Sequence, residues 1–278
     1  MAVQYLDRTV RLPLTAEETA ERLSGNADDW LMIDAERSAF LTLVSTLKPR
    51  CAIEVGVYKA GSLAVLAAHC EKVYALDIDP ACESYAGNFP NVTFMIGPSQ
   101  RTLPTLLDSI QTSGEPLDFV LIDAVHTEKG VRGDIESVLR YRPHQPLYIV
   151  MHDSFNPGCR KGIKEAPWSE NPHVHFVELD FITGRFVNDE EASDYRQMWC
   201  GFALATLLPQ IRAGKLVVRE NESLLFQAAL RHSVYYENSW NPIVFLRRVR
   251  RAAYLLKNDT PGLYAAIKRR MTQTPNSL

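Results

Sequence analysis

The sequence predicts an α/β fold in which helices cover both faces of a mostly parallel, Rossmann-like sheet. From Cys51 to about Asp153, short apolar runs alternate with stretches of helical periodicity. Alternating strands and helices join by right-handed crossovers, and the resulting parallel sheet is buried on both faces, which explains why the runs are almost continuously apolar. Length and composition agree, since 278 residues with 46% hydrophobic and 23% charged residues are typical of one globular domain with appendages.

Two helices are predicted ahead of the first strand. Thr15 and Glu18 form a capping-box pair for a helix over 15–25. In Asp34–Leu47, apolar residues recur at i, i+3, i+4 and i+7, which gives one apolar helical face. We therefore expect an N-terminal helical segment at 1–48, a main domain at 49–240 and a C-terminal extension at 241–278.

Five strands are predicted in the alternating part, and they read CAIEVG, KVYALDID, VTFMIG, LDFVLID and LYIVMHD. The stretches between them, SLAVLAAHC, ACESYAGNF, RTLPTLLDSI and EKGVRGDIESVLR, have a helical pattern. Beyond Asp153, residues 174–180 are expected to form a strand, whereas 197–207 fit a strand or a helix. The Gly and Pro content of 156–162 predicts a substrate loop or a lid that covers the substrate.

The net charge of −3 is unevenly distributed along the chain. Residues 241–278 contain eight basic residues against Asp259 alone, a net charge of +7, which leaves −10 for residues 1–240. The main body therefore offers no positive field for the phosphates of a nucleic acid. The amphipathic pattern at 243–257 predicts a basic helix, and a second short one is predicted at 263–271. Two interpretations stay open: packing on the domain or on a second subunit of a homodimer, and peripheral contact with a membrane.

The five cysteines are scattered without a CxxC pair, which argues against a disulfide framework or a zinc ribbon. No secretory signal pattern opens the sequence, and no apolar run is long enough to span a bilayer. We expect a cytoplasmic protein.

Polar residues close the predicted strands where an open α/β sheet binds ligands. The first turn runs from Glu54 through Gly56 and Tyr58 to Ser62, and Gly56 permits a tight turn ahead of a helix N-terminus suited to an anionic group. Asp77 closes the second strand, 21 residues past Gly56, near the spacing at which an acid binds a ribose. The third turn, Gly97 to Gln100, could meet an adenine edge, with Ser99 as a helix N-cap as the alternative.

Together these turns resemble those of class I S-adenosylmethionine-dependent methyltransferases, most closely the metal-dependent catechol-type O-methyltransferases. That family carries E-x-G-x-Y-x-G-x-S in the first turn and G-x-S-Q in the third, and this chain matches except at Ala60. The resemblance covers about residues 50–160 and implies a seven-stranded sheet. It also implies a cofactor site, in which Glu54, Gly56, Tyr58 and Ser62 surround the methionine moiety, Asp77 binds the ribose, Ser99 and Gln100 meet the adenine, and Asp123 lies beside them.

Ligand-type residues also close the fourth and fifth strands. Asp123 ends one strand, and His152 with Asp153 ends the next, so the three could form a mixed oxygen and nitrogen site for a divalent cation. In the resembling family, metal ligands come from these two places. Bacterial sugar O-methyltransferases share the I-D-x-x-H and H-D patterns, and in them the histidine can lie behind the ligands while the aspartate binds. The expected metal is Mg²⁺, with Mn²⁺ as a substitute.

His126 is the expected general base. Its unperturbed pKa of about 6.5 suits proton removal from an acceptor hydroxyl at neutral pH. In catechol-type enzymes a lysine occupies this position, three residues after the metal-binding aspartate. The alternative is that His126 caps the following helix.

The predicted function is methylation of a sugar hydroxyl in a glycolipid, polysaccharide or glycosylated natural product. A phenolic or catechol acceptor is the second candidate, and a cofactor-binding regulatory protein without catalysis is a rival from another class. An NAD-dependent oxidoreductase is disfavoured because G-x-G-x-x-G is missing. Acceptor recognition is expected from the N-terminal helices, residues 154–172 and the C-terminal region.

Overall fold

The computed structural model describes residues 30–236 together with Val249, Arg250 and Tyr254. The predicted helix over 15–25 lies outside the described residues, as do the two basic helices apart from those three positions. No helix in the described part of the chain is long and apolar enough to cross a membrane.

The strands are β1 (Cys51–Val55), β2 (Lys72–Asp77), β3 (Val92–Ile96), β4 (Phe119–Ile122), β5 (Leu147–His152), β6 (Val174–Ile182), β7 (Arg185–Phe186), β8 (Met198–Trp199), β9 (Phe202–Leu207) and β10 (Val218–Arg219). Eight of them form one sheet in the order β10-β6-β9-β5-β4-β1-β2-β3, and β7 pairs with β8 in a short antiparallel ribbon. Within the large sheet only β9 runs antiparallel to its neighbours.

The predicted mostly parallel α/β fold is confirmed, but the expected count of seven strands is wrong. The eighth is β10, which adds Val218 and Arg219 to the edge of the sheet beside β6. A strand of two residues has no apolar run that a sequence pattern could reveal. The strand order reverses between β1 and β4, and the crevice at this switch point is where such sheets bind ligands.

The helices are α1 (Asp34–Leu47), α2 (Gly61–His69), α3 (Ser99–Ser113), α4 (Glu128–Val138), α5 (Pro157–Lys164) and α6 (Ser223–His232), with 3-10 helices at Pro80–Asn88 and Trp168–Glu170. The first of these 3-10 helices replaces the regular helix expected over residues 81–89.

The prediction of a loop or lid at 156–162 is wrong, because most of this segment forms α5. Asn156 caps the helix by accepting hydrogen bonds from the backbone N–H groups of Gly158 and Cys159. Gly162 serves close packing, since a Cβ there would lie 2.3 Å from the carbonyl oxygen of Glu128 at the start of α4. The glycine that suggested a loop therefore permits two helices to touch.

The two largest clusters of buried apolar side chains lie on opposite faces of the sheet. Alternate residues of β1 show the division, since Ile53 packs with apolar residues of α3, α4 and α5, whereas Ala52 packs with those of α1 and α2. Phe40 of α1 and Leu63 of α2 are among the largest fully buried side chains of the second cluster. Burial of such side chains stabilises the fold by about 1.5–3 kcal/mol each.

The ambiguous stretch at 197–207 forms strands, which settles a point that periodicity left open. It contains β8 and β9, separated by Cys200 and Gly201 with φ of 66° and 87°. We call Trp199–Gly201 the β8–β9 turn. It lies beside the end of β5, because the backbone N–H groups of Ser154 and Phe155 donate to the carbonyl oxygens of Gly201 and Cys200.

Candidate active site at the carboxyl ends of the strands

A cavity of about 1370 Å³ opens where strands β1 to β5 end. Its lining includes nine of the predicted site residues: Gly56, Tyr58, Ser62, Asp77, Ser99, Gln100, Asp123, His126 and His152. The two remaining predicted residues, Glu54 and Asp153, lie buried behind this lining at 0% and 2% exposure. The structure therefore brings all the predicted residues to one site.

The first turn packs against the end of β4. Gly56 has φ of +97°, and a Cβ at this position would lie 2.2 Å from the backbone carbonyl oxygen of Asp123. Only glycine fits such an approach. Ala60, where the catechol-type pattern has glycine, also adopts a left-handed conformation, with φ of 63°. Glycine adopts this left-handed conformation without strain, whereas alanine adopts it at a cost in backbone energy.

Asp77 holds the first turn as well as facing the cavity. One of its carboxylate oxygens, Oδ2, accepts hydrogen bonds from the backbone N–H groups of Val57 at 2.8 Å and Tyr58 at 3.2 Å. The other, Oδ1, accepts from the backbone of Asp79 at 2.8 Å. These bonds fix the carboxylate before any ligand arrives.

Glu54 is a buried carboxylate with one oxygen unused. The hydroxyl of Ser62 donates to its Oε1, whereas Oε2 has no hydrogen-bond partner among the described residues. Burial raises the pKa of Glu54 to about 8, and the hydrogen bond from Ser62 opposes this shift. Since Ser62 lines the cavity directly in front of it, Glu54 is suited to a positively charged ligand group.

The third turn places Ser99 as the first residue of α3, after Pro98 as the N-cap. The alternative interpretation of Ser99 as the cap is therefore wrong. Gln100 donates from Nε2 to Oδ1 of Asp134 at 3.3 Å. Asp134, on α4, was not among the predicted residues, and its burial raises its pKa to about 6. Asp134 lies within an amphipathic helix, where the sequence pattern does not distinguish a buried acid from an exposed one.

Asp123, His126, His152 and Asp153 form a cluster at the ends of β4 and β5. The Oδ1 atom of Asp123 lies 2.8 Å from Nδ1 of His152 and 3.2 Å from Nε2 of His126. The other ring nitrogen of His126 lies 3.4 Å from Oδ2 of Asp153. The His126 ring therefore lies between the two carboxylates.

Exposure divides this cluster into a front and a back. The side chains of His126 and Asp123 are 32% and 20% exposed, whereas those of His152 and Asp153 are 7% and 3% exposed. The alternative role of His126 as a helix cap is wrong. Thr127 caps α4, because its hydroxyl accepts a hydrogen bond from the backbone N–H of Gly130 at 3.0 Å.

Two elements outside the alternating part hold the back of the cluster. Cys200 in the β8–β9 turn donates its backbone N–H to Oδ1 of Asp153 at 2.6 Å, and Asp153 itself has φ of 59°. Glu36 on α1 lies 3.1 Å from Nε2 of His152. Both ring nitrogens of His152 therefore face carboxylates. Sequence reasoning missed Glu36, since an acid in the first turn of a helix is ordinarily a solvated charge.

Residues 53–154 match the family model of a methyltransferase domain. This part of the chain is therefore similar to a methyltransferase domain. This match supports the predicted class of methyltransferase, and the matched residues include all four members of the cluster. No curated protein matches the chain.

Several solved methyltransferase structures are similar to this chain. An O-methyltransferase from Bacillus cereus in complex with SAH is 16% identical with a TM-score of 0.48, covering 71% of this chain and 93% of its own. The O-methyltransferase TomG from Streptomyces achromogenes, involved in tomaymycin synthesis and in complex with SAM, is 14% identical with a TM-score of 0.48, covering 72% and 93%. A putative O-methyltransferase from Klebsiella pneumoniae is 20% identical with a TM-score of 0.44, covering 68% and 89%.

The charged groups of the cluster shift one another's pKa values. Burial alone would raise the pKa of Asp123, but the neighbouring His152 and His126 outweigh it and hold that pKa well below its usual range. Burial alone would lower the pKa of both imidazoles. Asp123 and Asp153 outweigh burial in each case, and they raise the pKa of His126 above its ordinary value and that of His152 well above it.

The aromatic residues that the structure describes divide between the core and the site. Trp168 is 1% exposed and donates from Nε1 to the carbonyl oxygen of Ile163, so it belongs to the core. Trp199 contacts His126 edge-on, with ring centroids 6.1 Å apart. Trp240 lies outside the described residues. The far wall of the cavity contains Trp30, Leu31, Met32 and Tyr254, none of which the sequence had identified.

Proposed function

We propose that this protein transfers a methyl group from S-adenosylmethionine to a hydroxyl of a sugar, with the help of a divalent cation. The observation that carries the proposal is the pair of carboxylates, Asp123 and Asp153, converging on His126 at the floor of the cavity. A carboxylate pair with an imidazole between them provides oxygen ligands and a proton acceptor in one place.

Several features of the cavity support binding of the methyl donor at the predicted residues. Backbone groups approach closely at Gly56, and the unused oxygen of Glu54 offers a negative charge to the methionine moiety, which Tyr58 and Ser62 also surround. Asp77 presents a fixed carboxylate to the ribose. Ser99 and Gln100 are proposed to meet the adenine, with Asp134 orienting the Gln100 amide.

The cluster also fits Mg²⁺, or Mn²⁺ in its place. Asp123 and Asp153 supply hard carboxylate oxygens, and each is already oriented by hydrogen bonds. When bound, the cation supplies a Lewis acid that lowers the pKa of an acceptor hydroxyl and fixes its oxygen. His152 was predicted either as a third ligand or as a residue behind the ligands. We propose the second role, because each of its ring nitrogens already faces a carboxylate.

His126 is proposed to accept the proton of the acceptor hydroxyl. Burial lowers its pKa, but two negative charges outweigh burial and raise that pKa above its ordinary value, and the pKa would fall if a bound cation neutralised those carboxylates. The ring is exposed to the cavity, so it can reach a bound acceptor. Trp199 packs against the ring and limits its orientation.

The acceptor is proposed to bind against Trp30, Leu31, Met32 and Tyr254, which come from segments outside the matched residues 53–154. A sugar hydroxyl is proposed because the I-D-x-x-H and H-D patterns resemble those of bacterial sugar O-methyltransferases. A phenolic acceptor is the second candidate, since apolar and aromatic residues suit an aromatic ring as well. We further propose a cytoplasmic protein with its catalytic domain at 49–240, a homodimer, and no nucleic-acid partner.

The proposal is tested by methyl transfer from labelled S-adenosylmethionine to panels of glycosylated and phenolic acceptors. We expect transfer to a glycosylated acceptor, loss of at least 100-fold when EDTA removes divalent cations, and recovery on addition of Mg²⁺ or Mn²⁺. Transfer that is unaffected by EDTA would contradict the metal-dependent mechanism. Binding of S-adenosylhomocysteine without transfer to either panel would favour the regulatory alternative.

A further inference from the structure

Glu36 is a fully buried carboxylate that reaches the cluster from outside the matched methyltransferase residues. Its Oε2 accepts a hydrogen bond from the backbone N–H of Ile33 at 2.8 Å. Its Oε1 accepts from the backbone N–H of Gly201 at 2.6 Å and lies 3.1 Å from Nε2 of His152. One side chain thus joins the start of α1, the β8–β9 turn and the end of β5.

We propose that Glu36 is a positioning residue that fixes the ring of His152 and, through it, the carboxylate of Asp123. The inference rests on the proposed function only for the role of Asp123 as a ligand of the divalent cation. His152 has carboxylates at opposite ends of its ring, with Asp123 Oδ1 at 2.8 Å from Nδ1. The Asp123 contact is a hydrogen bond, whereas Nε2 lies 3.1 Å from Oε1 of Glu36 without hydrogen-bond geometry. The attraction between the Glu36 carboxylate and the ring opposes rotation about the Cβ–Cγ bond, and loss of Glu36 removes that restraint.

Helix capping alone does not explain the position of Glu36. A glutamate at the third position of a helix needs one oxygen to reach back to the backbone N–H at the helix start, and it does so at the protein surface. Here the second oxygen points inward to Gly201 and His152, and burial of a carboxylate is costly unless its partners are specific. The contacts with Gly201 and His152 therefore account for the burial of Glu36.

The first test is Mn²⁺ binding to the full-length protein, measured by calorimetry on Glu36→Gln. Loss of an outer partner of this kind typically weakens metal binding 10- to 100-fold, which is the change we expect, with the Kd of S-adenosylhomocysteine within twofold of wild type. Glu178→Gln is the matched control. Glu178 is a 4% exposed carboxylate that accepts from the backbone of Asp180 and from Asn221, so its loss costs stability without involving His152. Equal weakening of Mn²⁺ binding in both variants would overturn the proposal.

The second test is whether Glu36 acts through His152. In a His152→Ala background, Glu36→Gln should weaken Mn²⁺ binding by less than twofold, because the ring that transmits the effect is gone. A loss of the full size in that background would show that Glu36 acts independently of His152 and would overturn the proposal.

A crystal structure of Glu36→Gln separates this inference from the proposed function. We expect the His152 ring to turn away, so that its nitrogen no longer lies within hydrogen-bond distance of Asp123. A ring that keeps its wild-type orientation would overturn the positioning role. If the wild-type protein binds no Mn²⁺, the metal proposal fails, and the orientation of this ring still decides the role of Glu36.

Discussion

At the scale of single residues, Glu54 is a carboxyl group whose pKa is strongly raised by burial. Its pKa of about 8 lies above the usual value for glutamate, so the free protein holds this side chain protonated at pH 7. A cationic ligand group binds the ionised form. Below pH 8, binding must therefore first remove a proton from Glu54.

We expect the affinity for S-adenosylhomocysteine to rise about tenfold for each pH unit from 6 to 8 and to level off above. Calorimetry across this range measures it. Glu54→Gln should bind more weakly at pH 8 and show no such rise. Because the folded-state pKa is raised, ionisation of Glu54 costs stability as pH increases from its unfolded pKa of about 4.5 to 8. Glu54→Gln should accordingly unfold at a higher temperature than wild type at pH 9, and a lower one would argue against a strained carboxylate.

The second prediction for a single residue concerns His126. His126→Ala should reduce turnover 10²- to 10⁴-fold, because the proton acceptor is lost, while S-adenosylhomocysteine binding stays within a few-fold. His144→Ala is the control, since this exposed ring lies 2.9 Å from the Gln111 amide. Separate measurements of kcat and of cofactor affinity check the prediction. Undiminished kcat in His126→Ala would remove this residue as the base.

At the scale of elements, the β8–β9 turn holds both acids at the back of the site. Successive backbone N–H groups of Cys200 and Gly201 donate to Asp153 and Glu36. Both donors have positive φ, 66° at Cys200 and 87° at Gly201. A Cβ on Gly201 would lie 2.9 Å from Ser154 Oγ and from the backbone nitrogen of Gly184.

Gly201→Ala should therefore destabilise the protein and weaken Mn²⁺ binding, because both the φ of +87° and the close contacts oppose a side chain. Gly214→Ala separates these two causes. Gly214 has the same φ of +87°, but its Cβ would meet nothing within 4 Å. We expect Gly214→Ala to cost about 1–2 kcal/mol from backbone strain alone and to leave Mn²⁺ binding unchanged. Chemical denaturation and calorimetry of both variants check this, and equal behaviour would contradict the role of the turn.

At the scale of the whole molecule, the predictable features are those that a local pattern determines. The parallel sheet followed from near-continuous apolar runs such as Phe119–Ile122, which are buried on both faces. The cluster followed from residue types at strand ends, because parallel strands bring their carboxyl ends to one edge. Asp123 and His152, 29 residues apart in the chain, meet there as expected.

The features that were missed depend on contacts between distant parts of the chain. Glu36 is buried because it packs against Gly201, and a contact between residues 165 positions apart leaves no local sequence signal. Gly162 suggested a loop, whereas its purpose is close approach to Glu128. In both cases the local sequence is compatible with two structures, and tertiary packing chooses between them.

The contact between Gly56 and the carbonyl oxygen of Asp123 has a consequence for the chemistry as a whole. Methyl transfer requires the donor and the acceptor oxygen to be aligned within a fraction of an ångström. The turn proposed to hold the donor rests directly on the peptide that carries Asp123, with no side chain between them. Under the proposed function, this contact between two main chains therefore fixes the position of the donor turn relative to Asp123.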